Sequence, residues 1–214
     1  MKRLLLDTNI FGLLFADSDF HVLHHLLEEQ REELYIYGLN LIRQELKKAP
    51  GKVVGGVNVR ARLLRAYSSF ICEEYIVDNR VKDIAEKYFS VYTTFGGGFT
   101  KEKLWNDFLI VACASVKDIA IVVSEDNATM LNELAKKSYT ETNVKEKLRL
   151  PVFIGYKLFK KELLGSGFSN PLINSPQKFW IFLGFFNILP LVFLFHSILK
   201  ESLIYKDFVI NYDE

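Results

Sequence analysis

Residues 3–9 read Arg3-Leu-Leu-Leu-Asp7-Thr8-Asn9, a short apolar run that ends abruptly in three polar side chains. This pattern predicts a central strand over residues 3–6 that leads into a polar turn. Comparable apolar runs occur at 34–37, 119–123 and 152–154. Their near-continuous apolar character is typical of strands that are covered on both faces, as in a parallel sheet.

Helical patterns fill the spaces between these strands. They span residues 20–29, 41–48, 59–67, 81–88, 101–116 and 128–137, and the candidate N-caps are Asn40, Asp78 or Asn79, Thr100 and Asn127. Strands that alternate with helices predict an α/β domain with helices on both faces of the sheet. The three glycines at 96–98 predict a loop.

The composition changes after Leu164. Residues 166–178 are rich in Gly, Ser, Asn and Pro, which predicts a linker between a domain at 1–165 and the rest of the chain. Residues 179–199 are apolar and carry no formal charge, and they predict a hydrophobic helix. A run of about 20 apolar residues can cross a bilayer, although a buried helix or a dimerisation helix is the alternative. Residues 200–214 form a polar tail.

Charge and cysteine content exclude several classes of protein. The formal net charge is +1, with 27 basic and 26 acidic residues that are interleaved along the chain, so charge alone does not point to a nucleic-acid partner. The two cysteines have no second Cys or His at ligand spacing. A disulfide scaffold and a zinc site are therefore both disfavoured.

Four acidic residues stand where a parallel sheet would gather them. Asp7 and Asp126 each follow a predicted strand, and the ends of neighbouring parallel strands form the crevice where ligands bind. Glu45 and Asp107 lie early in predicted helices, which start at that same edge. Carboxylates crowded together repel one another unless a cation neutralises them. Because the donors are all oxygens, Mg²⁺ or Mn²⁺ is favoured over Zn²⁺.

Each acid also has an ordinary structural interpretation. Asp7 could cap a helix, Asp126 could belong to a turn, Glu45 could lie on a solvated helix face, and Asp107 could favour a helix N-terminus through the macrodipole. The placement of all four after strands or early in helices, in chain order, favours the metal site.

The four acidic segments together resemble the PIN-domain family. The resemblance covers residues 1–165 and rests on Leu4-Leu-Leu-Asp7-Thr8-Asn9, the helical Glu45, Trp105-Asn-Asp107-Phe-Leu-Ile-Val-Ala-Cys-Ala114 and Val122-Val-Ser124-Glu-Asp126. It implies a three-layer α/β/α Rossmann-like fold with a central parallel sheet. Active members are Mg²⁺- or Mn²⁺-dependent ribonucleases, and many are toxins of the VapC group that an antitoxin neutralises.

The resemblance also implies roles for individual residues. Asp7, Glu45, Asp107 and Asp126 fall on the metal-binding and catalytic acids, and Thr8, Asn9 and Ser124 fall on the polar neighbours that orient carboxylates and water. Lys101 and Lys103 are candidates for contact with substrate phosphates. Many relatives carry a further acid and an aromatic after the last motif, where this chain has Ala128 and Thr129. One or two cations therefore remain as alternatives.

The leading hypothesis is a metal-dependent endoribonuclease that cuts single-stranded RNA, with a toxin role as a further step. The alternatives are a catalytically inactive PIN-like module that binds RNA or protein, and a membrane protein whose cytosolic domain is a scaffold. The predicted partners are an RNA substrate, an antitoxin protein, a membrane through 179–199 and a second copy in a homodimer. The predicted location is a cytoplasmic catalytic domain anchored to a membrane by the C-terminal helix.

Overall fold

The computed structural model describes residues 1–51, 53–54 and 57–165. The predicted linker at 166–178, the predicted hydrophobic helix at 179–199 and the polar tail at 200–214 lie outside the described residues. Within the part that is described, no helix is long and apolar enough to cross a bilayer.

The described residues form an α/β fold with seven strands and eight helices. The strands are β1 (Lys2–Leu6), β2 (Leu34–Leu39), β3 (Val53–Val54), β4 (Val57–Asn58), β5 (Glu73–Tyr75), β6 (Ile121–Val123) and β7 (Val152–Ile154). The helices are α1 (Thr8–Ala16), α2 (Phe20–Glu29), α3 (Asn40–Lys48), α4 (Val59–Phe70), α5 (Asn79–Thr94), α6 (Lys101–Val116), α7 (Glu133–Glu146) and α8 (Tyr156–Leu164).

A five-stranded parallel sheet lies at the centre, in the order β5-β2-β1-β6-β7. Leu5 of β1 is in register with Tyr37 of β2 on one side and with Val122 of β6 on the other. The chain therefore extends the sheet from β1 in one direction and later in the other. Such a reversal of strand order creates a crevice at the carboxyl ends of the central strands. The short β3 and β4 pair separately as an antiparallel hairpin.

The core surrounds β1, where Leu4, Leu5 and Leu6 are all essentially inaccessible to solvent. Successive side chains of a strand point to opposite faces, so both faces of β1 are covered. The helices pack in two groups: α5, α6 and α7 contact one another, and so do α1, α2, α3, α4 and α8. The predicted α/β class and central parallel sheet are confirmed.

Two predicted boundaries near the sheet edge are wrong for local reasons. The polar turn predicted after Asp7 is the start of α1, because the Asp7 carboxylate accepts a hydrogen bond from the Thr8 amide and caps that helix. The helix predicted from residue 128 begins at Glu133. The amides of Ala128 and Thr129 donate instead to Asp126, and Asn132 caps α7 through the Ala135 amide.

Candidate metal centre

Asp7 lies at the end of β1, where the strand passes into α1. Its amide donates to the Val123 carbonyl oxygen (2.9 Å), which places it beside the end of β6. One carboxylate oxygen accepts from the Thr8 amide, and the other accepts from Asn9 Nδ2 (2.8 Å) and Ser124 Oγ (2.7 Å). Only 5% of Asp7 is exposed. Three donors from two neighbouring strand ends therefore fix this carboxylate.

Glu45 reaches the same edge from α3, the helix that begins where β2 ends. One of its carboxylate oxygens accepts a hydrogen bond from Thr8 Oγ1, and the other accepts one from Asn106 Nδ2. Thr8 adjoins Asp7, and Asn106 adjoins Asp107. The Glu45 carboxylate is therefore held by the residues that adjoin Asp7 and Asp107 in the sequence.

Asp126 closes the turn that follows β6. Its amide donates to Ser124 Oγ (3.1 Å), the hydroxyl that in turn donates to Asp7. Its carboxylate accepts from the amides of Ala128 (3.0 Å) and Thr129 (2.8 Å) and from Thr129 Oγ1 (2.5 Å). Ser124 is fully buried, so this link between the ends of β1 and β6 is shielded from water.

Asp107 lies in the second turn of α6 and is half-buried. Burial raises its pKa to about 7, a hydrogen bond with the Thr129 side chain opposes that rise, and the charges of Asp7, Asp126 and Glu45 add to it. Burial likewise raises the pKa of Asp7 to about 6, against the hydrogen bonds from Ser124 and Thr8, and Glu45 and Asp126 raise it further. The four predicted acids are therefore close enough to repel one another.

This donor set suits a hard divalent cation. Burial opposes the ionisation of Asp7 and Asp107, and each of the four acids lies near other carboxylates. A bound cation would therefore favour the ionised forms. Among the described residues, however, no three carboxylate, imidazole or thiol groups already surround a common point at ligand distance. The oxygens are turned towards hydroxyl and amide donors instead. Binding would require some of these hydrogen bonds to be exchanged for the cation.

Two site residues were not predicted. Thr129 is buried, its hydroxyl donates to Asp126, and its side chain lies near enough to Asp107 to lower the pKa of that acid. Its only signal in the sequence was its place shortly after the last motif. Asn106 donates to Glu45, whereas the sequence placed it in the Asp107 motif without indicating a role for it. Nearby, burial raises the pKa of the fully buried Tyr139 hydroxyl, and the charges of Asp107 and Asp126 add to that rise.

The lysines predicted to contact phosphates lie at the start of α6 and have partners of their own. Lys101 pairs with Glu86 and lies 4.6 Å from the centroid of the Trp105 ring. Lys103 lies 3.7 Å from the centroid of the Phe99 ring. Their predicted role in substrate binding stays a prediction.

No protein-family model matches the sequence, and no curated protein is significantly similar to it. Solved structures with a similar fold include VapBC2 from Rickettsia felis bound to a promoter DNA fragment, with a TM-score of 0.47 and 14% identity over 71% of this chain and 97% of that chain. FitAB bound to an IR36 DNA fragment matches with a TM-score of 0.46 and 16% identity, over 72% of this chain and 94% of that chain. DNA-bound VapBC from Salmonella typhimurium matches with a TM-score of 0.43 and 11% identity, over 73% of this chain and 99% of that chain.

Proposed function

We propose that residues 1–165 form a PIN-type nuclease domain that hydrolyses phosphodiester bonds in single-stranded RNA with the help of Mg²⁺ or Mn²⁺. Asp7, Glu45, Asp107 and Asp126 would hold the cation. The observation that carries the proposal is the meeting of these four acids at one sheet edge, where burial and mutual repulsion raise the pKa of Asp7 and of Asp107.

A bound divalent cation would supply positive charge that stabilises the charge developing on a phosphodiester during displacement. The protein's own contribution is orientation. Ser124 and Asn9 fix the Asp7 carboxylate, and Thr8 and Asn106 fix Glu45. Groups that hold metal ligands in this way commonly change metal affinity or activity by about 10- to 100-fold when removed.

Two extensions of this proposal concern partners. Lys101 and Lys103, at the N-terminal end of the helix that carries Asp107, are proposed to meet substrate phosphates. A toxin role would add an antitoxin protein as a partner, and a homodimer would add a second copy of this chain. Size-exclusion chromatography with light scattering, on the chain alone and on the chain co-expressed with a candidate antitoxin from a neighbouring gene, tests both.

Cleavage of a 5′-labelled single-stranded RNA tests the nuclease directly. Wild-type protein should cut in Mn²⁺ and not in a chelator, and Asp7→Asn and Asp126→Asn should each lose at least about 100-fold in rate. Glu133→Gln is the matched control, because that carboxylate is almost fully exposed on α7 and belongs to no cluster. Cleavage that survives both aspartate substitutions or the chelator would refute the proposal.

A second candidate is a PIN-like module that binds RNA or protein without cutting. It is favoured by the hydrogen bonds that already occupy the acid oxygens and by the absence, within the described residues, of three ligating groups around one point. Calorimetric titration with Mn²⁺ separates the two candidates. The nuclease requires heat of binding that Asp7→Asn abolishes, whereas the module predicts none.

The membrane anchor at 179–199 is a separate proposal that rests on the sequence alone. Flotation with lipid vesicles should recover the full chain in the lipid fraction, and a chain that ends at Leu164 should stay at the bottom of the gradient. A full chain that does not float would remove the anchor and leave the nuclease proposal untouched.

A further inference from the structure

Three half-buried aromatic rings lie in the loop between α5 and α6 and in the first turns of α6, and each has a lysine ammonium over its face. Lys137 lies 5.0 Å from the centroid of Phe95, Lys103 lies 3.7 Å from that of Phe99, and Lys101 lies 4.6 Å from that of Trp105. These six residues are called the ring–lysine surface. The three pairs bring aromatic rings and lysine ammonium groups together near the start of α6.

The ring–lysine surface borders the four acids. Lys103 and Asp107 are four residues apart on α6, so they share one face of the helix, about 6 Å apart along its axis. Asn106, which follows Trp105 directly, donates to Glu45. Lys103, which lies over the Phe99 ring, is thus on the Asp107 side of α6, whereas Trp105, two residues before Asp107, is about 200° around the helix from it. A ligand on Phe99 would border the candidate metal centre, and one that also reached Trp105 would follow the surface of α6 around.

The loop that carries the rings is held in place by Tyr92, a buried residue of α5. The amide of Gly97 donates to the Tyr92 carbonyl oxygen (3.0 Å), and the amide of Phe99 donates to the Tyr92 hydroxyl (3.4 Å). Gly97 packs so closely on the Tyr92 ring that a Cβ atom would overlap it. The rings are thus in position before a ligand binds, which lowers the ordering cost of binding.

We propose that unpaired bases of the substrate strand stack on Phe99 and Trp105, while Lys101, Lys103 and Lys137 swing aside to contact the phosphates. This inference rests on the proposed function, and it says how the site would select its substrate. Aromatic rings bind bases whose faces are free, and in a duplex those faces are covered by neighbouring bases. Stacking of a base on an aromatic ring is also stronger than an exposed cation–π contact, so a base can displace the lysine.

A second cationic groove competes for this role. It lies between α2 and α4, has a volume of about 730 Å³, and is lined by His21, His24, Arg62 and Arg65 among others. Its Phe20 ring also lies under a cation, because the Arg62 guanidinium is 5.4 Å from the ring centroid. None of the four acids lines this groove. The ring–lysine surface is favoured because it adjoins them.

Fluorescence anisotropy in a chelator measures RNA binding without cleavage. The probes are a labelled oligouridylate of about 12 nucleotides, within the footprint typical of single-strand binders, and a hairpin of the same charge. Phe99→Leu in the full chain keeps an apolar side chain but removes the ring, and it should weaken oligouridylate binding about tenfold. Phe20→Leu is the matched control and should change nothing. Lys103→Ala should lower the slope of log affinity against log salt by about one, unlike Lys157→Ala on α8.

Tryptophan fluorescence keeps the test decisive if Phe99→Leu folds poorly. The chain has two tryptophans, so Trp180→Phe leaves Trp105 as the sole tryptophan, whose emission can be excited selectively over that of the tyrosines. Oligouridylate should quench it and the hairpin should not. Unchanged Trp105 emission, equal binding of hairpin and oligouridylate, or a loss caused by Phe20→Leu instead of Phe99→Leu would overturn the inference.

The proposed function can fail independently of this surface. Mn²⁺-dependent cleavage and its loss in Asp7→Asn report on the nuclease, whereas oligouridylate binding by Phe99→Leu in the chelator reports on the surface. Stacking on Phe99 without Mn²⁺-dependent cleavage would support the surface and refute the nuclease. Cleavage that is lost in Asp7→Asn, together with normal binding by Phe99→Leu, would do the reverse.

Discussion

Raising the pH from about 4 to about 8 in a chelator is expected to destabilise the protein, because the folded state holds the Asp7 carboxyl as a neutral acid more readily than the unfolded chain does. Burial raises the pKa of Asp7 from 3.8 to about 6. Between these values the folded state binds more protons, so the free energy of unfolding falls as the pH rises. The stabilisation from Asp7 is fully present below the pKa of the unfolded chain, 3.8. It is lost as the pH rises through the pKa of the folded state, about 6.

The size of the effect follows from the shift at Asp7. About two pKa units correspond to about 3 kcal/mol of the free energy of unfolding. Burial raises the pKa of Asp107 to about 7, and the charge of Asp7 adds to that rise, so Asp107 acts in the same direction. Lysine partners hold the pKa of Asp17 and of Asp78 below 3.8. The stabilisation from these acids is lost only at more acidic pH, so it changes little between about pH 4 and about pH 8.

Urea unfolding followed by far-UV circular dichroism measures this effect at each pH. Asp7→Asn cannot ionise at this position, so its stability should decline less over the same range. Saturating Mn²⁺ at about 100 times its dissociation constant should restore about 2.7 kcal/mol to the wild type at neutral pH and nothing to Asp7→Asn. A wild-type free energy of unfolding that is flat or rises with pH, or equal Mn²⁺ stabilisation of both proteins, would refute the reasoning.

Three further substitutions test individual contacts. Asn106→Ala removes the amide that bonds to Glu45, and it should reduce cleavage by about 10- to 100-fold with little change in melting temperature; equal loss of both would point to a folding defect. Thr129→Val should weaken Mn²⁺ binding measured by calorimetry, whereas Thr129→Ser should restore it, and failure of serine to rescue would remove the hydroxyl's role. Gly38→Ala should cost about 1–3 kcal/mol in urea unfolding, because a Cβ there would overlap the Tyr67 hydroxyl; an unchanged midpoint would show that Tyr67 moves aside freely.

The sequence indicated the positions of Asp7 and Asp126 in the fold better than it indicated their surroundings. Asp7 and Asp126 could be placed because each follows a buried strand, and the change from apolar to polar residues can be read directly from the sequence. The meeting of Glu45 with Asp107 depends on the strand order, which the sequence does not display. Thr129 gave no usable signal, because a threonine in a turn normally faces solvent.

The elements that were missed had weak or misleading local patterns. Helix α1 starts with Thr8-Asn9, which resembles a turn, and its following residues are apolar even where they are exposed, as Leu13 is, so no amphipathic pattern marks it. Strand β5 is three residues long and two of its side chains are exposed, so no alternation marks it. Helix α8 begins after Gly155, which packs against the Glu125 carboxylate, a contact between segments far apart in the chain.

The central position of β1 has a consequence for synthesis of the protein. A ribosome-bound fragment that ends before β6 already contains Asp7, Glu45 and Asp107, but it lacks both Asp126 and the strand that lines up with β1 on that side. The proposed nuclease would therefore acquire activity only late in translation. An incomplete nascent chain would leave its own messenger intact.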